Sequence, residues 1–178
     1  MARVKKFQLL STNTWIGHQP ISYQPLLLMG HGKIEFCEKV KIGVSSSPGF
    51  WSSECYIEAR SAKSKVIVGA NTWINNSFSA ISEDSVISIG ADCLIGHNVF
   101  IIDSNFHSLN PDLRHGGGKT TSKEVCVGNN VFIGSCVTIL KNTHIGDGSV
   151  VAAGAVVSGT FPSRSLIAGN PAKLMRTI

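Results

Sequence analysis

The residues best suited to chemistry lie in one polar, glycine-rich segment in the middle of the chain. Asp103 and His107 are followed there by Arg114, His115 and a run of glycines. Histidine is a frequent general base because its ordinary pKa lies near neutrality. A nearby carboxylate can orient the imidazole or stabilise its cation, but an aspartate here can equally bond its own turn. The segment therefore predicts His107 as a general base, ahead of His115, with both roles of Asp103 open.

The cysteines indicate neither disulfide nor metal chemistry. The chain has 5 cysteines and no C-x-x-C pair. A disulfide framework or a zinc knuckle is therefore not expected, and no metal site is predicted. Reduced, mostly buried thiols in a cytoplasmic protein are the expectation.

Composition narrows the class of protein further. The length of 178 residues fits one domain. Only 15% of the residues are charged and 18 are glycine. This composition excludes a disordered chain and argues against long amphipathic helices. The net charge of +5 suits anionic small ligands, but no basic stripe with interleaved aromatics is present, so nucleic-acid binding is not expected. No apolar run is long enough to span a membrane and no signal peptide is evident, so we expect no membrane insertion and a cytoplasmic location.

Branched aliphatic residues recur every six positions. The uninterrupted run comprises Val127, Ile133, Ile139, Ile145, Val151 and Val157. Shorter runs comprise Ile89, Ile95 and Ile101 and, less regularly, Phe50, Tyr56, Ala62, Val68, Ile74 and Ala80. Gly often follows the aliphatic residue and Asn or Asp comes soon after, and these residue types tolerate turn conformations. Six residues are too few for a strand, a helix and a return, so the pattern predicts a solenoid whose parallel strands stack about 4.8 Å apart.

Breaks in this period divide the chain. The period fails between Ile101 and Val127, and the polar segment there, about residues 103–125, is predicted to be a loop projecting from the coil. Residues 34–162 are predicted to form the solenoid, and residues 1–33 a segment that packs on it or caps it.

Residues 163–178 are predicted to form a short C-terminal tail, helical or extended. The one helix candidate in it is Pro171–Arg176, with Asn170 as its cap.

These patterns resemble a known family. The [Ile/Val]-Gly-x-x-x-x units, the Asp103-x-x-x-His107 segment and the ending Ile167-Ala-Gly-Asn-Pro-Ala-Lys173 are similar to the hexapeptide-repeat acyltransferases, over about residues 34–176. Small sugar acetyltransferases that decorate bacterial surface polysaccharides are the nearest likeness. The resemblance implies an all-β fold, a left-handed parallel β-helix of triangular section. Its handedness comes from the resemblance alone, since general rules favour right-handed crossovers.

The resemblance also implies partners and roles for single residues. It implies a homotrimer with active sites between subunits, acetyl-CoA as co-substrate, and His107 as the base. Asn75, with Asn76 as its competitor, and Arg114 are predicted to bind the acceptor. Trp73 is a further acceptor-binding candidate, with packing between subunits as the alternative that we favour for it. The predicted coenzyme-binding residues are Gly134, Ser135, Ala152, Ala153, Ser158, Lys173 and Arg176. The chain departs from the family pattern at Gly159, where Lys often follows the serine, and the N-terminal helical segment of galactoside enzymes is not expected.

The function predicted from the resemblance is acetyl transfer from acetyl-CoA to a sugar hydroxyl or amine. No cysteine lies beside His107 in the sequence, which favours direct transfer over an acyl-enzyme. Two other classes stay open. A γ-class carbonic anhydrase-like metalloenzyme would use an H-x4-H pair, which the sequence lacks. A non-catalytic β-helical scaffold would not need the polar loop.

Overall fold

The chain winds into a parallel β-helix of triangular section. The structure, a computed structural model, describes residues 2–116 and 118–178. Each turn of the coil contributes one strand to each of three faces, and each strand pairs in parallel with the strands of the turns before and after it. The sequence prediction of a solenoid is therefore confirmed.

The three faces are built from short strands. Face 1 contains β1 (Trp15–Gly17), β4 (Lys33–Phe36), β7 (Lys65–Val68), β10 (Val86–Ile89) and β13 (Val125–Val127). Face 2 contains β2 (Ile21–Ser22), β5 (Lys41–Ile42), β8 (Trp73–Ile74), β11 (Leu94–Ile95), β14 (Phe132–Ile133), β16 (Val150–Val151) and β18 (Ser165–Gly169). Face 3 contains β3 (Leu26–Gly30), β6 (Cys55–Ala59), β9 (Ser79–Ser82) and β12 (Phe100–Ile102). Two longer strands, β15 (Thr138–Ile145) and β17 (Val156–Phe161), turn the corner from face 3 onto face 1.

The six-residue period forms the core. On face 2, Ile95, Ile133 and Val151 stack in register, and on face 3, Ile101, Ile139 and Val157 do the same. All of these side chains are buried. For the less regular run from Phe50 to Ala80, the prediction that each residue points into the core is correct only from Val68 onward. Before it, Tyr56 lies between the buried residues Cys55 and Ile57, and Ala62 is exposed, because the residues that join β5 to β6 shift the phase.

The conformation of the corners explains why Asn, Asp and Gly follow the inward-facing aliphatic residues. Asn71, Asp92 and Asn130 have φ values of 58°, 58° and 52°, the left-handed region that Asn and Asp adopt more readily than other side chains. The glycines have a different cause. A Cβ at Gly134 would lie 2.6 Å from the backbone nitrogen of Ala153 in the next coil. Glycine is therefore required by the close approach of stacked coils as well as by turn conformation.

The ends of the coil differ from the predicted boundaries. Parallel pairing begins at Trp15, which pairs with Ile34, and continues to β18, so the coil includes most of residues 1–33 and part of the predicted tail. The N-terminal segment also contains a helix, α1 (Ala2–Leu10), packed on β3. A helix was not expected there because this segment has no capping residue and a weak apolar pattern.

Of the helical and extended forms predicted for the C-terminal tail, the extended form is confirmed. Residues Ala172–Thr177 form β19, which pairs antiparallel with β18. Gly169, with a φ of 103°, begins the reversal. Pairing in this way satisfies backbone groups of β18 that a helix would leave unpaired, so the tail is extended.

We expect Ile139→Asp to unfold the protein or to lower its free energy of unfolding by more than about 4 kcal/mol, because an unpaired carboxylate would enter the centre of a buried ladder. Ile139 is 0% exposed. The matched control is Thr138→Asp, whose side chain faces outward in the same strand and should change stability much less. Chemical denaturation of both variants measures the difference in stability. Equal stabilities would contradict the assignment of Ile139 to the core and Thr138 to the outer surface.

Candidate active site

The predicted loop leaves the coil at the corner between faces 3 and 1, after β12, and returns at β13. A short 3-10 helix, Pro111–Leu113, lies within it and is capped by Asn110, whose side chain accepts from the backbone of Asp112. At its root the backbone nitrogen of Lys123 donates to the carbonyl of Asp103 at 2.8 Å. Gly117, one of the glycines of this loop, lies outside the described residues.

His107 projects from the loop and is exposed. Its Nδ1 lies 3.3 Å from the carbonyl oxygen of Arg114. A carbonyl only accepts, so this contact requires the proton on Nδ1 and leaves Nε2 with a free lone pair. Phe106, directly before His107, has a φ of 58°, an unusual conformation for an aromatic residue that occurs where structure fixes a side chain's direction.

A concavity of about 300 Å³ lies against this histidine. Its walls include His107, Arg114 and His115. The structure therefore brings together three of the polar residues that the sequence singled out in the loop.

Asp103 lies at the loop root and serves the turn there. Its carboxylate is buried and accepts hydrogen bonds from Ser82 Oγ (2.7 Å), from the Glu83 nitrogen (2.7 Å) and from the Ser85 nitrogen (3.0 Å). Burial raises the pKa of Asp103 above its usual value, and these hydrogen bonds partly oppose the rise. The sequence left two roles open for Asp103: orienting His107 or bonding its own turn. The structure provides the contacts for the second role. The imidazole of His107 contacts the Arg114 carbonyl instead.

Most of the predicted coenzyme-binding residues gather at another corner, between faces 2 and 3. Gly134 and Ser135 follow β14, and Ala152 and Ala153 follow β16 directly beneath them, with the Gly134 nitrogen bonded to the Val151 carbonyl at 2.8 Å. These four residues form one small-residue column along that corner.

The remaining three coenzyme predictions fall in two places. Lys173 and Arg176 lie on β19, opposite Ala168 and Leu166 of face 2, and both are exposed. Ser158 lies at the corner between faces 3 and 1, in a depression that Lys123 and Lys141 also line. The small-residue column lies at a different corner, so Ser158 and the column do not meet within one chain.

The two acceptor asparagines have different environments. Asn75 is half-buried at the corner of the small-residue column. Asn76 is fully buried, accepts from the Val44 nitrogen at 2.9 Å and donates to the carbonyls of Val44, Ser47 and Pro48. Its amide is used within the protein, so Asn76 is a structural residue and the prediction that it contacts a ligand is corrected.

Asn76 holds a second loop, residues 44–54, that the sequence period did not reveal. Arg3 of α1 donates to the carbonyls of Phe50, Trp51 and Ser53, which ties the loop to the N-terminal helix. Trp51 is 80% exposed at its tip. A run of Ser, Pro and Gly at 45–49 is the signal that indicates this loop in the sequence.

Trp73 lies outside both corners, on the outer surface of face 2. It stacks in register between Lys41 and Leu94, and Leu94 pairs with Phe132. Trp73, Leu94 and Phe132 are 39%, 54% and 50% exposed, so they form an outward apolar ladder.

Comparison with known proteins supports the similarity to hexapeptide-repeat transferases. Residues 127–159 match the family described as bacterial transferase hexapeptide (six repeats), and residues 86–102 match the hexapeptide repeat of succinyl-transferase. These matches show hexapeptide repeats in this chain and a similarity to bacterial transferases that contain them. It is 38% identical, over 60% of its length and 57% of the relative's, to an Escherichia coli K12 protein named provisionally as a lipopolysaccharide biosynthesis O-acetyl transferase.

Another relative of this hexapeptide-repeat protein is the galactoside O-acetyltransferase of Escherichia coli K12, 34% identical over 65% of this chain and 55% of the relative. The chain thus spans little more than half the length of these two relatives. A Vibrio cholerae hexapeptide-repeat acetyltransferase solved with acetyl coenzyme A has the same fold, with a TM-score of 0.61, 22% identity and coverage of 99% of this chain and 85% of that one. The left-handed β-helix predicted from the resemblance is confirmed. Within residues 2–116 and 118–178, no helix has the length and apolarity needed to cross a membrane.

We expect Asp103→Asn to lower the free energy of unfolding by about 1–3 kcal/mol, because an amide cannot accept all the hydrogen bonds that converge on the carboxylate. The raised pKa of Asp103 sets the pH dependence. Its folded pKa exceeds its unfolded one, so the wild type loses stability relative to the variant as the pH rises through the folded pKa, and the difference between the two shrinks. Denaturation at several pH values measures this, with the exposed Asp84→Asn as the matched control, which should stay within about 0.5 kcal/mol of the wild type. A difference that grows with pH would mean that the donors around Asp103 favour its ionised form.

Proposed function

We propose that this protein is an acetyltransferase that moves the acetyl group of acetyl-CoA to a hydroxyl or amine of a saccharide, with His107 as general base. The observation that carries the proposal is the orientation of His107. Its Nδ1 is engaged by the Arg114 carbonyl at 3.3 Å, so in the neutral ring the lone pair lies on Nε2, which makes no hydrogen bond within the described residues. The names of the relatives, which include O-acetyltransferases, support the reaction class.

The chemistry follows from that tautomer. Nε2 of His107 takes the proton of the acceptor hydroxyl or amine as its oxygen or nitrogen forms a bond to the thioester carbonyl carbon. The carbon–sulfur bond breaks, and the imidazolium returns the proton to the departing coenzyme thiolate. The products are the acetylated acceptor and free coenzyme A.

Direct transfer, rather than an acyl-enzyme on Cys55 or Cys93, is favoured by the burial of these two thiols. All five are free. Burial raises the pKa of Cys55 to about 12 and raises that of Cys93 above its usual value. A buried thiol with a raised pKa is a poor nucleophile because little thiolate forms.

The small-residue column fits the acyl arm of the coenzyme. A Cβ added at Gly154, in the same corner, would meet no atom within 4 Å, so the surface there is open. Neither Lys173 nor Arg176 forms an ion pair within the described part of the chain, which leaves both cations available for coenzyme phosphates. Gly134, Ser135, Ala152 and Ala153 would then hold the arm, and Ser158 would contact the coenzyme only from a neighbouring subunit.

The acceptor is a saccharide in this proposal. Arg114 and His115 line the concavity beside His107. The Asn75 Oδ1 accepts from the Asn76 nitrogen at 2.7 Å, and its amide nitrogen makes no hydrogen bond within the described residues, so it can donate to an acceptor hydroxyl. A role in surface polysaccharide synthesis is supported by the naming of the first relative. A cytoplasmic location is supported by the free cysteines.

A homotrimer completes the site. The loop with His107 and the small-residue column follow different corners of one chain, with face 3 between them. A neighbouring copy brings the loop of one chain to the column of another. The apolar ladder of Trp73, Leu94 and Phe132 on face 2 is the surface we assign to the contact between copies, since exposed contiguous apolar patches mark interfaces.

We expect His107→Ala to lower kcat by about 10²–10⁴, the usual contribution of a general base, with an unchanged melting temperature and unchanged acetyl-CoA affinity. The imidazole lies outside the core and the coenzyme contacts lie on other residues. Thiol release from acetyl-CoA, screened over saccharide acceptors, measures turnover. The matched control is His18→Ala, an exposed histidine outside this concavity, which should keep the wild-type kcat. Full activity of the His107 variant would contradict the assignment, and absence of thiol release with every saccharide in the wild type would contradict the function.

We expect the wild type to have close to three times the chain mass of 19.0 kDa in solution, and Leu94→Asp to have the mass of the monomer, because a charge would enter the apolar ladder. The control is Leu9→Asp, another exposed leucine that lies on α1. Light scattering at micromolar concentration measures the masses. A monomeric wild type would contradict the site between subunits.

A further inference from the structure

Three side chains with metal-binding atoms converge on the outer surface of face 1. Cys126 and His144 are direct cross-strand neighbours on β13 and β15, and Glu124 is the last residue before β13. The sulfur, imidazole and carboxylate atoms of these three residues all lie within 4.8 Å of one another. Glu124 Oε1 and His144 Nε2 are 3.1 Å apart.

The spacing fits a shared ligand better than a direct thiol contact. Cys126 Sγ makes no hydrogen bond within the described residues, so it is not paired with the His144 ring. In a tetrahedral zinc site the bond lengths of about 2.0–2.3 Å place ligand atoms about 3.3–3.8 Å apart. Side-chain rotations of the exposed Glu124 and the half-buried His144 would bring these atoms to that spacing.

The surroundings do not block a cation. On the outer row of face 1 the pair is flanked by Ser88 and Thr160, which are small and uncharged. Of the lysines nearest in sequence, Lys141 donates from Nζ to the carbonyl of Thr121 at 2.9 Å. The cluster therefore offers a thiol, an imidazole and a carboxylate, with one position left for water, a donor set suited to zinc.

We propose that Glu124, Cys126 and His144 bind a divalent cation of the zinc type at the root of the loop that carries His107. The cation links the last residue of the loop to the following coil, where the Asn142 nitrogen already bonds the Glu124 carbonyl at 3.0 Å. Its effect is to fix the loop's return into the β-helix. It takes no part in the proposed transfer, and its binding can be measured without activity.

The test is cobalt and zinc binding to the untagged full-length protein. Cobalt(II) added to the metal-free wild type should give a thiolate-to-cobalt absorption band that zinc abolishes. Cys126→Ser should lose the band and weaken zinc binding in calorimetry by more than the roughly 10–100-fold that loss of an outer-shell partner costs. Cys136→Ser is the matched control, because Cys136 is exposed and lies outside the cluster, and it should bind like the wild type.

Two further measurements keep the proposal falsifiable. His144→Asn tests the same site if Cys126→Ser does not fold, as judged by its melting curve, and it should also weaken zinc binding. Hydrogen exchange of residues 118–124 should slow in the wild type when zinc is added. The proposal is overturned if no band forms, if Cys126→Ser retains it, or if Cys136→Ser loses it.

Discussion

The close stacking of successive coils is the constraint on which the structure depends. Strands of a parallel sheet lie about 4.8 Å apart, so every turn of this chain must place a compact aliphatic residue at the same level on each face. Ile, Val and Ala meet that requirement on faces 2 and 3. The same stacking brings backbone against backbone at the corners, which is why Gly96 and Gly134 cannot carry a side chain without displacing the coil beneath them.

Both loops and the proposed transfer site lie at corners because the faces are committed to stacking. A strand residue points either into the core or outward into a row of its equivalents, so it has little freedom to form a pocket. A corner can release the chain and take it back without disturbing the pairs on either side. Both loops of this protein leave at corners, and a buried polar side chain holds each of them: Asp103 for the loop with His107 and Asn76 for residues 44–54.

The sequence predicted the repeating coil and the loop where the repeat breaks, and it missed features that depend on contacts distant in the sequence. The six-residue period identified the ladders through Ile139 because each coil repeats the same physical demand. Residues 44–54 were missed because Phe50 and Tyr56 happen to be six apart, and β19 because its pairing with β18 is a long-range contact that no local pattern records. At the candidate site, residue type alone makes His107 a candidate base, but the contacts of Asp103 and Asn76 depend on which backbone groups lie nearby in space. That information exists only once the coils are stacked.

The pairing across the loop with His107 has a consequence for the history of such proteins. Ile87 pairs with Val125 and Ile89 with Val127, in unbroken register, although the residues between β12 and β13 lie along the chain between them. The packing of the core therefore does not depend on the length or the sequence of that loop. Natural variation can exchange one loop for another while the coil stays as it is. In such a protein the loop is a replaceable part, inherited separately from the stability of the coil.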